Sequence, residues 1–170
     1  MRLTRPYKET AFDNFNQVGC LLSHLSCLYD AYKRGFELIW ICEDDILFLK
    51  DVHKLPDMIE NLNTIDSNWD ILYTDRNHTS EYWRPYGKFL RPKQTKIDED
   101  FFERIMVNDV FIKERFRFGT YSYLFSSKGI KKVLDFFFNN PIYLPIDHDL
   151  HYIKNIIEYS LADDWISSSR

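Results

Sequence analysis

Helical and strand-like segments alternate along these 170 residues, and the alternation predicts an α/β domain of three layers with a mostly parallel sheet. Two further observations support that class. The apolar runs at residues 38–42 and 69–73 are short enough, and rich enough in β-branched and aromatic residues, for strands buried on both faces. The first run ends abruptly in three carboxylates, at the kind of strand end where open α/β sheets gather ligands.

Each element has its own local signal. Val18, Leu21, Leu22, Leu25, Leu28 and Tyr32 recur at intervals of three and four, predicting a helix with Asn14 or Asn16 as its cap and Gly35 as its stop. A second helix is expected over residues 54–65, where Leu55, Met58, Ile59 and Leu62 share a side. Residues 76–115 carry no regular pattern, and a loop of that length inside a compact domain is usually functional or mobile. Residues 120–125 read as a strand. Ser126 or Ser127 then caps a helix that buries Ile130, Val133, Leu134 and Phe137. After a proline-bounded connection, a last helix is expected to about Tyr159. No repeat or Gly/Ser linker interrupts the sequence, so residues 1–170 read as a single domain.

Composition narrows the function classes. Lys and Arg number 22 against 26 Asp and Glu, a net charge of −4, which matches nucleic-acid phosphates poorly; nucleic acid is not an expected partner. Aromatic residues make up 17 %, more than a core of this size needs, so some are expected to line a binding surface. Cys20, Cys27 and Cys42 lie in apolar runs, are odd in number and have no framework spacing; they read as buried, reduced thiols rather than disulfide or zinc ligands. The N-terminal residues lack a secretory pattern, and no apolar run approaches the ~20 residues of a membrane span. A cytoplasmic protein with at most peripheral membrane contact is expected.

The strongest chemical feature is Glu43-Asp44-Asp45. Adjacent carboxylates repel one another, and a hard divalent cation such as Mn²⁺ or Mg²⁺ relieves the repulsion. On an extended segment alternate residues point the same way, which would put Glu43 and Asp45 on one face. A solvated acidic turn is the alternative reading. Asp147-His148-Asp149 offers a carboxylate beside an imidazole, suited either to general-base work or to starting a helix. Ser23-His24 lies on the first helix among apolar positions and reads as a packed, hydrogen-bonded histidine. Tyr82-Trp83-Arg84-Pro85-Tyr86 suits either a sugar ring or loop packing. No glycine-rich phosphate cradle is present.

The order of these segments resembles glycosyltransferase family 25, which includes bacterial lipooligosaccharide glycosyltransferases and procollagen galactosyltransferases. Gly19-Cys20-Leu21-Leu22-Ser23-His24 is followed by Ile41-Cys42-Glu43-Asp44-Asp45-Ile46-Leu47-Phe48, then Trp69-Asp70-Ile71-Leu72-Tyr73. Tyr121 to Gly129, ending Ser-Ser-Lys-Gly, and Leu144-Pro145-Ile146-Asp147 complete the series. The resemblance implies a GT-A-like, Rossmann-like fold and transfer of galactose or glucose from a UDP-sugar to a hydroxyl of a glycan, lipooligosaccharide or protein-linked acceptor. It implies that Glu43, Asp44 and Asp45 bind the donor, with Glu43 and Asp45 the ligands of Mn²⁺ or Mg²⁺. Asp147 would then be the catalytic base.

The family's usual N-terminal βαβ segment has no counterpart in the first twenty or so residues, so a truncated member is expected. A homo-oligomer or a completing partner chain would fit this departure. So would a non-catalytic remnant that binds sugar or protein. A metal-dependent phosphoesterase is a third reading, weakened by the lack of the extra ligands that two-metal sites need.

Overall fold

Apolar residues at helical spacing fold as α1, Phe15–Arg34, in a computed structural model that describes residues 15–76 and 103–168. The candidate cap Asn14 and the aromatic–cationic segment 82–86 lie outside the described residues. Leu21, His24, Leu25, Leu28 and Ala31 form the buried stripe of α1. Gly35, at φ 70°, ends the helix: its N–H donates to Tyr32 O and that of Phe36 to Ala31 O, so two orphan carbonyls are satisfied.

The chain continues through β1 (Leu38–Cys42), β2 (Ile46–Phe48), α2 (Leu55–Ile65) and β3 (Ile71–Tyr73). A hairpin of β4 (Arg104–Met106) and β5 (Phe111–Glu114) precedes β6 (Ser122–Ser126) and α3 (Ser127–Asn139). A single turn, α4 (Ile146–Asp149), then leads to β7 (Glu158–Leu161) and β8 (Ile166–Ser168). Among the described residues, six strands form one sheet in the order β1-β6-β3-β7-β5-β4, and β2 pairs with β8 apart from it.

The sheet corrects the expectation of mostly parallel strands. Among the described residues only β3 and β7 pair in parallel; β1–β6, β6–β3, β7–β5 and β5–β4 are antiparallel. The crossover through α2 does return β3 in the direction of β1, but β6 inserts between them and runs the other way. The apolar run of β1 was misleading for the same reason. Among the described residues it is an edge strand that buries only Ile41 fully, and Leu38 and Trp40 remain exposed.

Two further expectations fail. The irregular stretch contains the β4–β5 hairpin, whose turn is tied by the Asn108 side chain accepting from the N–H groups of Val110 and Phe111. The predicted last helix is a single turn of α-helix followed by a short 3₁₀ turn, and it gives way to β7. Asn155 at φ 58° turns the chain, and all four residues of β7 are buried in the middle of the sheet.

Both sheet faces carry apolar side chains. One cluster joins α1 and α3 to Tyr73, Tyr123 and Phe125, and the other joins Leu62 of α2 to Leu72, Phe111, Leu124 and Tyr159. Ser126 caps α3, its hydroxyl accepting from Gly129 N at 3.2 Å, as the sequence signalled. Gly129 has a second role. A Cβ there would lie 2.3 Å from the carbonyl oxygen of Asp70, so the start of α3 rests directly on main chain. Gly129→Ala should therefore cost about 1–3 kcal/mol by overpacking, read as a lowered urea midpoint; an unchanged midpoint would show that α3 does not seat this closely.

Candidate active site

The carboxyl ends of β1, β3 and β7 lie at one end of the sheet, beside the start of β6. Glu43 follows β1 there, and its N–H donates to Tyr121 O at 2.8 Å. Asp44 and Asp45 form a turn into β2, not an extended segment, so the alternation expected to align Glu43 with Asp45 does not operate. Glu43 faces α1 instead. Its Oε1 lies 3.5 Å from His24 Nε2 and 3.8 Å from Cys20 Sγ.

Helical spacing explains that meeting, since residues four apart on α1 share a face. His24 is buried, and its Nδ1 lies 2.9 Å from the buried Tyr123 hydroxyl. It is packed and hydrogen-bonded as its position suggested, and it also looks into the acidic site. Burial, then the charges of Glu43 and Asp147, push the Cys20 thiol up to about 11. The expectation of three buried cysteines is corrected: Cys20 is half-buried, while Cys27 and Cys42 are exposed. Leu21, Leu25 and Leu28 take the core-facing stripe of α1, and Cys42 lies at the end of an edge strand.

Asp147, in α4, reaches the same region. Its Oδ2 accepts from Gly119 N at 3.0 Å, and Gly119 needs its positive φ of 85°. The segment from Gly119 to Tyr121 thus holds both candidate acids, one through a carboxylate and the other through main chain. Asp149 points inward, its carboxylate 3.4 Å from Leu144 N.

A buried ionic cluster braces this segment from below. The Arg117 guanidinium pairs with Asp75, lies 3.7 Å from Glu114 and stacks 4.0 Å from the centroid of Tyr73. Tyr121 donates its hydroxyl proton to Asp75 Oδ2 at 2.7 Å. Behind it, His151 bonds Glu158 and the main chain of Arg117. Burial opposes the charged imidazole, but the Glu158 carboxylate outweighs it and holds the His151 pKa above the ordinary value. Tyr73 and Tyr121 belong to motifs quoted from the sequence, but Asp75, Glu114, Arg117, His151 and Glu158 were not singled out there. Thr74-Asp75 carried a usable signal, because it follows a predicted strand just as Glu43 does.

Carboxylates at this open end suit a hard divalent cation. Glu43 and Asp44 line a cavity of about 350 Å³ together with Cys20, His24 and Cys42, so an ion there could meet oxygen donors, water and phosphate. Asp45 is half-buried in the adjoining turn.

Comparison with known families gives the class of protein. The model of glycosyltransferase family 25, described as LPS biosynthesis protein, matches residues 14–150, and the chain belongs to that family. It is also similar to a rat (Rattus norvegicus) protein named probable inactive glycosyltransferase 25 family member 3, with 31 % identity over 65 residues. That match covers 38 % of this chain and 11 % of the relative. Among the described residues, no helix is long and apolar enough to cross a membrane.

Proposed function

We propose that the chain is a metal-dependent glycosyltransferase that moves galactose or glucose from a UDP-sugar to a hydroxyl of a glycan, lipooligosaccharide or protein-linked acceptor. The observation that carries the reading is the Gly119–Tyr121 bridge, which brings Asp147 and Glu43 to one sheet end although they are far apart in sequence. Glu43 and Asp45, with Asp44 beside them, would hold Mn²⁺ or Mg²⁺ and the donor diphosphate. When bound, such a cation supplies neutralisation of the charge that develops on the leaving nucleotide.

Asp147 is the base in this reading. Its hydrogen bond from Gly119 restrains one carboxylate oxygen, which orients the group toward an acceptor hydroxyl. The carboxylate takes the acceptor proton as the acceptor oxygen attacks the sugar carbon, in a single displacement. Much of the remaining acceleration comes from holding donor and acceptor together. A cytoplasmic location belongs to the same reading.

A non-catalytic role is the second reading, favoured by the printed name of the rat relative and by the engagement of Glu43 with His24 and Cys20. Calorimetric titration of UDP and UDP-sugars separates the two. Binding that requires Mn²⁺, disappears with EDTA and is lost in Asp45→Ala is the expected result. A folded protein that binds no nucleotide with Mn²⁺ would overturn transfer by this chain and leave the binding module.

A further inference from the structure

We propose that Cys20, His24 and Glu43 form a site for a thiophilic divalent cation, with Zn²⁺ the best match. One ligand atom from each residue lies within 4.8 Å of the other two, on a cavity wall that also includes Ser23 and Cys27. Sulfur, imidazole nitrogen and carboxylate oxygen together are a donor set for zinc, whereas Mg²⁺ and Mn²⁺ select oxygen. This site therefore differs in kind from an all-carboxylate one, although Glu43 belongs to both.

The spacings carry the argument further. The His24 Nε2–Glu43 Oε1 and Cys20 Sγ–Glu43 Oε1 separations are 3.5 and 3.8 Å. The first is longer than an ordinary N–H···O hydrogen bond, which falls at about 2.7–3.2 Å. Both are close to the edges of a tetrahedron around zinc. Bonds of about 2.0–2.1 Å to nitrogen, 2.0–2.2 Å to oxygen and 2.3 Å to sulfur give edges of roughly 3.3–3.7 Å. Two edges of the triangle thus stand near coordination spacing, and the third, between Cys20 and His24, is within 4.8 Å.

The surroundings fit as well. Zinc-binding histidines generally donate their second ring N–H to a neighbour that fixes the tautomer. Here Nδ1 faces the Tyr123 hydroxyl at 2.9 Å, so a proton on Nδ1 leaves the Nε2 lone pair directed at Glu43 and Cys20. Tyr123 is itself fully buried and stacked on Tyr73, so its hydroxyl is a stationary partner for Nδ1. Cys20 and His24 are supplied four apart by a twenty-residue helix. Three protein ligands with a fourth position toward the cavity is the pattern of an open zinc site. Binding transfers the Cys20 thiol proton to solvent, and the thiolate formed ligates the ion.

Titration with Co²⁺ alone, without nucleotide, tests the site independently of glycosyl transfer. The expected result is a thiolate-to-cobalt charge-transfer band that saturates at one ion per chain and is bleached when Zn²⁺ displaces Co²⁺. Cys20→Ser should abolish the band, and Asp45→Ala, Cys27→Ser and Cys42→Ser should keep it. No band in the folded wild-type protein would overturn the assignment, as would a band that survives Cys20→Ser or vanishes with Cys27→Ser. Should Cys20→Ser fold poorly, the Zn²⁺-induced rise in Tm decides: present in the wild type and lost in Glu43→Gln supports the site, and absent in the wild type refutes it.

Discussion

Arg117→Met is expected to destabilise the protein by about 3–5 kcal/mol, the cost of removing one partner from a buried charge pair. Arg117, Asp75 and Glu114 are each only 1–2 % exposed. Methionine fills much of the volume, but it leaves two carboxylates that burial penalises and that lack their shared cation. Asp75 would keep Tyr121, and Glu114 would keep Arg104 at 4.0 Å, but neither would keep the guanidinium between them. Urea unfolding should show a lowered midpoint with an unchanged slope. A loss below about 1 kcal/mol, the value of an exposed pair, would contradict the burial of this cluster. The effect should also reach the acidic site, because Tyr121 carries the carbonyl that holds Glu43.

Asp147→Asn should lower kcat by about 10²–10⁴-fold, the usual contribution of a positioned general base. Asparagine can still accept from Gly119 N through its amide oxygen, so the local fold is kept while the basic carboxylate is lost. Metal-dependent UDP binding should be unchanged. Full turnover in the variant would remove Asp147 from the chemistry. Lost UDP affinity with kcat retained would assign it to donor binding.

Local signals account for what could be read without a structure. The spacing in α1, the β-branched run of β1 and the serine before α3 are each encoded within a few residues, and each produced the expected element. Strand neighbours are not encoded that way. Nothing in residues 122–126 reveals that β6 slides between β1 and β3, and a short amphipathic stretch such as 146–159 is compatible with helix until a central sheet position captures its end. Physical reading marked the Glu43-Asp44-Asp45 triplet and the Asp147–Asp149 group, the resemblance singled out Asp147 as a base, and the charges of Glu43 and Asp147 both act on one thiol, Cys20. Cys20 and His24 were read only as a packed thiol and a packed histidine, because their approach to Glu43, which lies on another element, leaves no local pattern. The Asp75–Arg117 pair was hidden for the same reason, since an ion pair between distant positions leaves no local pattern.

The position of β7 has a consequence for how the molecule is made. Among the described residues, the β1-β6-β3 portion and the β5-β4 hairpin are joined in the sheet only through β7, which comes later in sequence than all of them. During synthesis both portions must therefore wait, with unpaired edges at β3 and β5, until residues 158–161 leave the ribosome. Sheet closure is non-local and late, so folding should be slow compared with a protein of the same length and local topology. A nascent chain halted before residue 158 would expose the apolar strand Ile71–Tyr73 to other chains, making chaperone capture and aggregation compete at that stage.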